Sequence, residues 1–73
     1  MEIKRKFGLV IRDLRIIKGI SQERLALEAN IDRTYIGHIE KGSRNVSIEM
    51  AEKLAIHFQI SISELFRMVE ERK

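Results

Sequence analysis

The chain has 73 residues, with 14 Lys and Arg against 11 Asp and Glu for a net charge of +3, and it contains no cysteine and no proline. That length admits one domain over 1–73, only marginally stable alone, and the missing cysteines exclude a disulfide or thiolate metal staple. Only two histidines are present, His38 and His57, with no third ligand near either, so no metal or cofactor is expected and self-association is left as the stabiliser.

The first predicted helix runs over 3–18, where Phe7, Val10, Ile11, Leu14 and Ile17 fall on one stripe at helical spacing. Its start, Met1-Glu2-Ile3-Lys4-Arg5-Lys6, is basic, but Arg12, Asp13 and Arg15 interrupt the apolar stretch behind it. A signal peptide is therefore not expected. No apolar run approaches the roughly 20 residues of a membrane span. The expected location is the cytoplasm.

Gly19 suits the left-handed position after that helix. Ser21 is then an N-cap, with Ile20 before it able to pack on Leu25, and a second helix is predicted over 22–29. Asn30 falls where the chain must turn out of this helix, and Asn follows Gly in preference for that conformation. Asp32 caps a third helix over 33–41, with Ile31 able to pack on Ile36 and Gly42 as its stop. Ser47 caps a fourth over 48–58, whose stripe is Ile48, Ala51, Leu54, Ala55 and Phe58. Ser61 caps a fifth over 62–71, with Ile62, Leu65, Phe66 and Val69 inward, an Ile60–Leu65 staple and Glu64 completing a capping box. The fold class is all-α: a compact five-helix bundle.

Little more than Asn30-Ile31-Asp32 separates the second and third helices, and so tight a connection makes them cross steeply. Ala26 and Ala29 allow close approach. That geometry fits an ordinary helical hairpin as well as a DNA-binding motif. The third helix favours the latter. Ile36 and Ile39 root it, Tyr35 stands at the edge, and Arg33, Thr34, Gly37, His38 and Lys41 face outward without an acidic residue, Glu40 pointing to the margin. A surface meant only for water usually mixes both signs. Gly37 costs about 1 kcal/mol relative to alanine in a helix. It either lets a bulky partner come close or relieves crowding against the first or fourth helix. Gln22, at the start of the second helix, can meet a phosphate with its side chain and free backbone N–H groups. Ser43, Arg44 and Asn45 form a donor-rich loop after the third helix. Donors at both ends of that helix match a DNA backbone crossing it.

The stretch from Ser21-Gln22-Glu23-Arg24-Leu25-Ala26 through Ile36-Gly37-His38-Ile39-Glu40-Lys41-Gly42 resembles the helix-turn-helix of phage repressors, and the resemblance covers about residues 7–66. The runs Asp32-Arg33-Thr34-Tyr35-Ile36 and Ile39-Glu40-Lys41-Gly42-Ser43-Arg44-Asn45 resemble more specifically the controller proteins of restriction–modification systems. The resemblance implies a lambda-repressor-like DNA-binding domain with its motif at about 21–41. It implies a regulator that binds paired operator sites in double-stranded DNA as a dimer, activating at low occupancy and repressing at high occupancy. It implies that Gln22 contacts phosphate, Arg33 and Thr34 reach base edges, and Tyr35 touches backbone or a thymine methyl. His38 would lie further along the groove, with Ser43, Arg44 and Asn45 on phosphate. Controllers often carry serine where this chain has Gly37, a departure that bears on fine specificity.

Ile56, Ile60, Ile62, Phe66 and Met68 supply more apolar surface than one small core needs, which makes them the expected dimer interface. They equally fit closure of the monomer core. Activation requires an RNA polymerase contact, for which Glu23 and Glu28 are available, as they are for solvation. No Gly-rich phosphate loop, nucleophile elbow or triad is present, so enzyme activity is not expected. The alternatives are a stand-alone phage or plasmid repressor and an antitoxin-type interaction module.

Overall fold

A computed structural model describes residues 2–73. Its helices are α1 (Ile3–Lys18), α2 (Gln22–Ala29), α3 (Arg33–Lys41), α4 (Ile48–His57) and α5 (Ile62–Glu71). α4 ends one residue before the predicted bound, because Phe58 leaves the helix and Gln59 turns with φ of 59°.

The helix starts follow from local chemistry. The Ser21, Ser47 and Ser61 hydroxyls each accept the backbone N–H three residues on, at 3.0 Å, and Asp32 accepts from Thr34 and Tyr35. Each bond satisfies a donor that the first turn leaves without a partner. The capping box expected of Glu64 does not form. Arg67, one turn on, holds the Glu64 carboxylate at 2.7 Å, so that carboxylate faces along the helix instead of back to Ser61. Gly19, Asn30 and Gly42 adopt the left-handed conformation after α1, α2 and α3, with φ of 75°, 58° and 73°.

α1 packs against α3 and α5, α2 against α3 and α4, and α4 against α5. Phe7, Val10, Ile11, Leu25, Ile36, Ile39, Leu54, Leu65 and Val69 are buried between them. Gly8 makes the α1–α3 contact possible. A Cβ there would collide with the Ile39 carbonyl oxygen and lie 2.8 Å from that of Glu40. Gly42 is constrained twice, by its φ and by the Arg5 backbone, whose Cα would lie 2.8 Å from a Cβ.

Three residues placed on apolar stripes lie outside the core: Phe66, 36% exposed on α5, and far more fully Ile17 and Ile48. Ile17 is 81% exposed and Ile48 82% exposed. Each sits at a helix end, Ile17 one residue before the last position of α1 and Ile48 at the first position of α4. Ile16, Leu27 and Ile56 are also largely exposed. His57 is a link between α2 and α4. Its side chain is buried, and Nε2 lies 2.7 Å from Glu28 Oε1.

Candidate nucleic-acid interface

α3 is anchored by Ile36 and Ile39, both buried, which leaves one side of the helix outward. Arg33, Thr34 and Lys41 are exposed there, and Gly37 and His38 are half-exposed. The sign of this face is positive because its one acidic neighbour is withdrawn. Glu40 does not lie at the margin as the helical wheel suggests. It is buried against α1, where Arg15 Nε and Nη2 donate to its two oxygens at 2.7 and 3.1 Å. Helical periodicity places Glu40 at the edge of the face. The neighbour that covers that edge is 25 residues away in sequence.

Gln22 adds a third donor to the same carboxylate, through Nε2 at 3.0 Å. The amide nitrogen expected to meet phosphate is thus engaged inside the protein, and the Gln22 Oε1 atom turns towards Gly37. Gly37 itself has open space around it. A Cβ would meet only Gln22 Oε1, at an ordinary 3.7 Å. Crowding against α1 or α4 therefore does not account for this glycine. Nothing in the free protein requires it.

The loop after α3 is tied to the helix at two points. Ser43 donates its backbone N–H to the His38 carbonyl at 3.1 Å and its hydroxyl to the same oxygen at 3.2 Å, and that hydroxyl lies 3.3 Å from His38 Nδ1. The Tyr35 hydroxyl donates to the Asn45 carbonyl at 2.9 Å. Between these points the exposed Arg44 guanidinium sits 5.9 Å from the centre of the Tyr35 ring, within cation–π range. Ser43, Arg44 and Asn45 are thereby ordered before any ligand arrives, which spares some of the entropy that docking would cost. Gln22, Arg33, Thr34, Tyr35, Gly37, His38, Lys41, Ser43, Arg44 and Asn45 all belong to α3, the start of α2 beside it, or this loop. Arg15 and Glu40, which hold the arrangement from behind, were missed. A basic residue on one helix and an acidic one on another carry no sign of pairing in the sequence.

This is a short helix with a donor-bearing outer face, set at a tight turn against a capped partner helix. Residues 11–65, most of the chain, match the family model described as helix-turn-helix. The chain belongs to the helix-turn-helix family. Within that family it is 42% identical over 71 residues to the control protein C.MunI of Mycoplasma sp, covering 96% of each chain. It is 46% identical over 54 residues to C.BamHI of Bacillus amyloliquefaciens, covering 73% of this chain and 67% of that one. Among solved structures, the restriction–modification controller C.AhdI from Aeromonas hydrophila superposes with a TM-score of 0.81 at 48% identity, over 86% of this chain and 96% of that one. The controller C.Esp1396I, solved as a tetramer on its natural 35-base-pair operator, superposes with a TM-score of 0.87 at 36% identity, over 99% of this chain and 95% of that one. The five-helix, all-α helix-turn-helix fold expected from sequence is the fold observed. Among the described residues, no helix is long and apolar enough to cross a membrane and no cluster of metal-ligating side chains occurs.

Proposed function

We propose that this protein is a transcriptional regulator of the restriction–modification controller type, binding operator sequences in double-stranded DNA as a homodimer. The observation that carries the reading is the outer face of α3, positive because Glu40 is turned inward onto Arg15, and flanked by a loop already ordered on Tyr35 and His38. The α3 face enters the major groove. Arg33 donates two N–H groups to the O6 and N7 atoms of a guanine, a pairing worth about 1–3 kcal/mol of base discrimination. Thr34 meets a neighbouring base edge, and His38 lies further along the groove. Lys41, Arg44 and the amide groups of Ser43 and Asn45 take phosphates on one side. The free backbone N–H groups of Gln22 and Glu23, at the start of α2, take phosphate on the other.

One short helix spans few base pairs, so a twofold pair of subunits is needed to place two such helices about 34 Å apart on one side of the duplex. Ile56, 68% exposed, and Phe66, 36% exposed, are the apolar groups most available for that contact. Ile60, Ile62 and Met68 pack partly against the core and contribute their outer edges. Phe66 also borders a hollow of about 370 Å³ shared with Ile3, Phe7 and Val46, which extends the apolar surface onto α1. A contact with RNA polymerase through Glu23 would add activation to repression. Glu28 is less available for this, being held by His57 and Arg24.

The test separates the two kinds of contact. A preferred duplex is selected from randomised half-sites, and affinities for it and for a scrambled duplex are measured across a salt series. Arg33→Ala is expected to lower the preference ratio. Arg44→Ala is expected to weaken both duplexes alike and to make the salt dependence shallower by about one charge. A preference ratio unchanged by Arg33→Ala would remove Arg33 from base readout, and a wild-type protein that binds the selected and scrambled duplexes equally would sink the reading.

A further inference from the structure

A single hydroxyl proton fixes which nitrogen of the His38 ring carries hydrogen. Ser43 Oγ lies 3.2 Å from the His38 carbonyl oxygen and 3.3 Å from His38 Nδ1. A serine hydroxyl has one proton to give, and a carbonyl oxygen only accepts. With that proton on the Nδ1 side, Oγ and the carbonyl oxygen would face each other as two acceptors with nothing between them. Both contacts are hydrogen bonds only when Oγ donates to the carbonyl and a protonated Nδ1 donates to Oγ. A neutral imidazole with its proton on Nδ1 presents Nε2 as an acceptor.

The loop after α3 thus engages one ring nitrogen and leaves the other for a ligand. His38 Nε2 has no hydrogen-bond partner among the described residues, whereas the Nε2 of His57 is taken by Glu28. His38 is half-exposed and follows the exposed Thr34 by four residues, so the two share one side of α3. The charged side chains on this face and in the loop, Arg33, Lys41 and Arg44, are donors only. Nε2 is an acceptor set among them. In the major groove an acceptor pairs with the exocyclic amine of adenine, N6, or of cytosine, N4. Guanine N7 and O6 and thymine O4 are themselves acceptors and leave it unpaired. We infer that His38 is a specificity-determining residue that selects adenine or cytosine through that amine, and that Ser43 is its positioning residue, acting by setting the ring tautomer. The inference rests on the reading of α3 as the helix in the groove, and adds the base class that one of its side chains takes.

The experiment reads the ring first. Nitrogen chemical shifts separate a protonated from a bare imidazole nitrogen, and His38→Ala assigns the signals. In mildly alkaline solution, where an imidazole is neutral, the free protein is expected to show His38 protonated on Nδ1 and bare on Nε2. Ser43→Ala should lose that pattern, and Ser43→Thr, which keeps a hydroxyl, should retain it. A wild-type ring protonated on Nε2 would overturn the inference. Binding is then measured by fluorescence anisotropy on the duplex selected above and on copies with each base pair of the half-site replaced in turn by the other three. Circular dichroism confirms that every variant is folded. His38→Ala is expected to lower discrimination about tenfold at one position, where wild type prefers adenine or cytosine, the upper size of one hydrogen bond. A base analogue without the exocyclic amine at that position should weaken wild type by the same factor and leave His38→Ala unaffected. Ser43→Ala should reduce the same preference, and equal weakening of all duplexes with the preference kept would remove its role as a positioning residue. Guanine or thymine preferred at that position, or full discrimination by His38→Ala, would overturn the inference while the reading of α3 stands on Arg33. A wild-type protein without preference between the selected and scrambled duplexes would remove both.

Discussion

Arg15 and Glu40 meet through two hydrogen bonds, at 2.7 and 3.1 Å, between the α1 and α3 side chains, with the Arg15 side chain only 14% and that of Glu40 only 4% exposed. A pair so enclosed is costly to break one side at a time, because the remaining charge stays in the interior. Arg15→Met should destabilise the protein by roughly 3–5 kcal/mol in urea unfolding. The double variant Arg15→Met/Glu40→Leu should recover most of that loss, since two apolar groups can replace a buried ion pair at little net cost. A double variant as unstable as the single one would show that the pair does more than neutralise itself.

Gly37 offers an independent test, because the free protein has no need of it. Gly37→Ala should raise stability by about 1 kcal/mol, the difference in helix propensity. Gly37→Leu should also fold. Its side chain would project from the α3 face, so DNA affinity should fall at least tenfold while the melting temperature holds or rises. Undiminished binding by the leucine variant would mean that the duplex does not approach this side of the helix.

The α2–α4 link carries a pH dependence. The His57 hydrogen bond, with Arg24 adding to it, holds the Glu28 carboxyl below the ordinary glutamate value of 4.5. The folded form therefore binds fewer protons there than the unfolded chain. The stabilisation is complete above the ordinary value and is lost as pH falls through it towards the depressed one. Glu28→Gln should be less stable than wild type at neutral pH, and the difference should shrink on acidification over that interval. Urea midpoints measured between pH 3 and pH 7 would show it (about four units spanning the window of that linkage). A difference independent of pH would assign the loss to packing.

Assembly should be separable from folding at Ile56, which is 68% exposed and so contributes little to the core. Ile56→Lys should leave the thermal transition of the isolated subunit intact. It should raise the dimer dissociation constant about tenfold or more in sedimentation equilibrium, since charge at an apolar contact centre is poorly tolerated. Unchanged assembly would move the interface elsewhere, with Phe66 next to be replaced.

What could be read from the sequence was what neighbouring residues decide. The caps at Ser21, Asp32, Ser47 and Ser61 act on N–H groups two or three positions away, and all four are in place. Asn30 and the two glycines after α1 and α3 turn the chain for equally local reasons. The outward set on α3 followed from the angle between successive side chains. What stayed hidden depends on distant partners. The helical wheel gave Glu40 an edge position, but Arg15 of α1 and Gln22 of α2 cover that edge. Glu28 and His57 pair across 29 residues with no shared pattern. Gly8 fits α3 so closely because the Ile39 carbonyl lies against it, and nothing in its surroundings along the chain marks it. Ile17 and Ile48 show the limit of periodicity at helix ends, where both side chains keep the spacing of the stripe and yet stay exposed.

The close seat of α1 on α3 at Gly8 separates the part of the molecule that holds shape from the face proposed to meet DNA. Arg33, Thr34 and His38 project from a rod whose opposite side is fixed by other residues, so they are free to diverge without retuning the interior. A cell housing several systems of this kind can therefore keep one scaffold and vary only its address labels. Insulation between them would then be a matter of two or three side chains per copy.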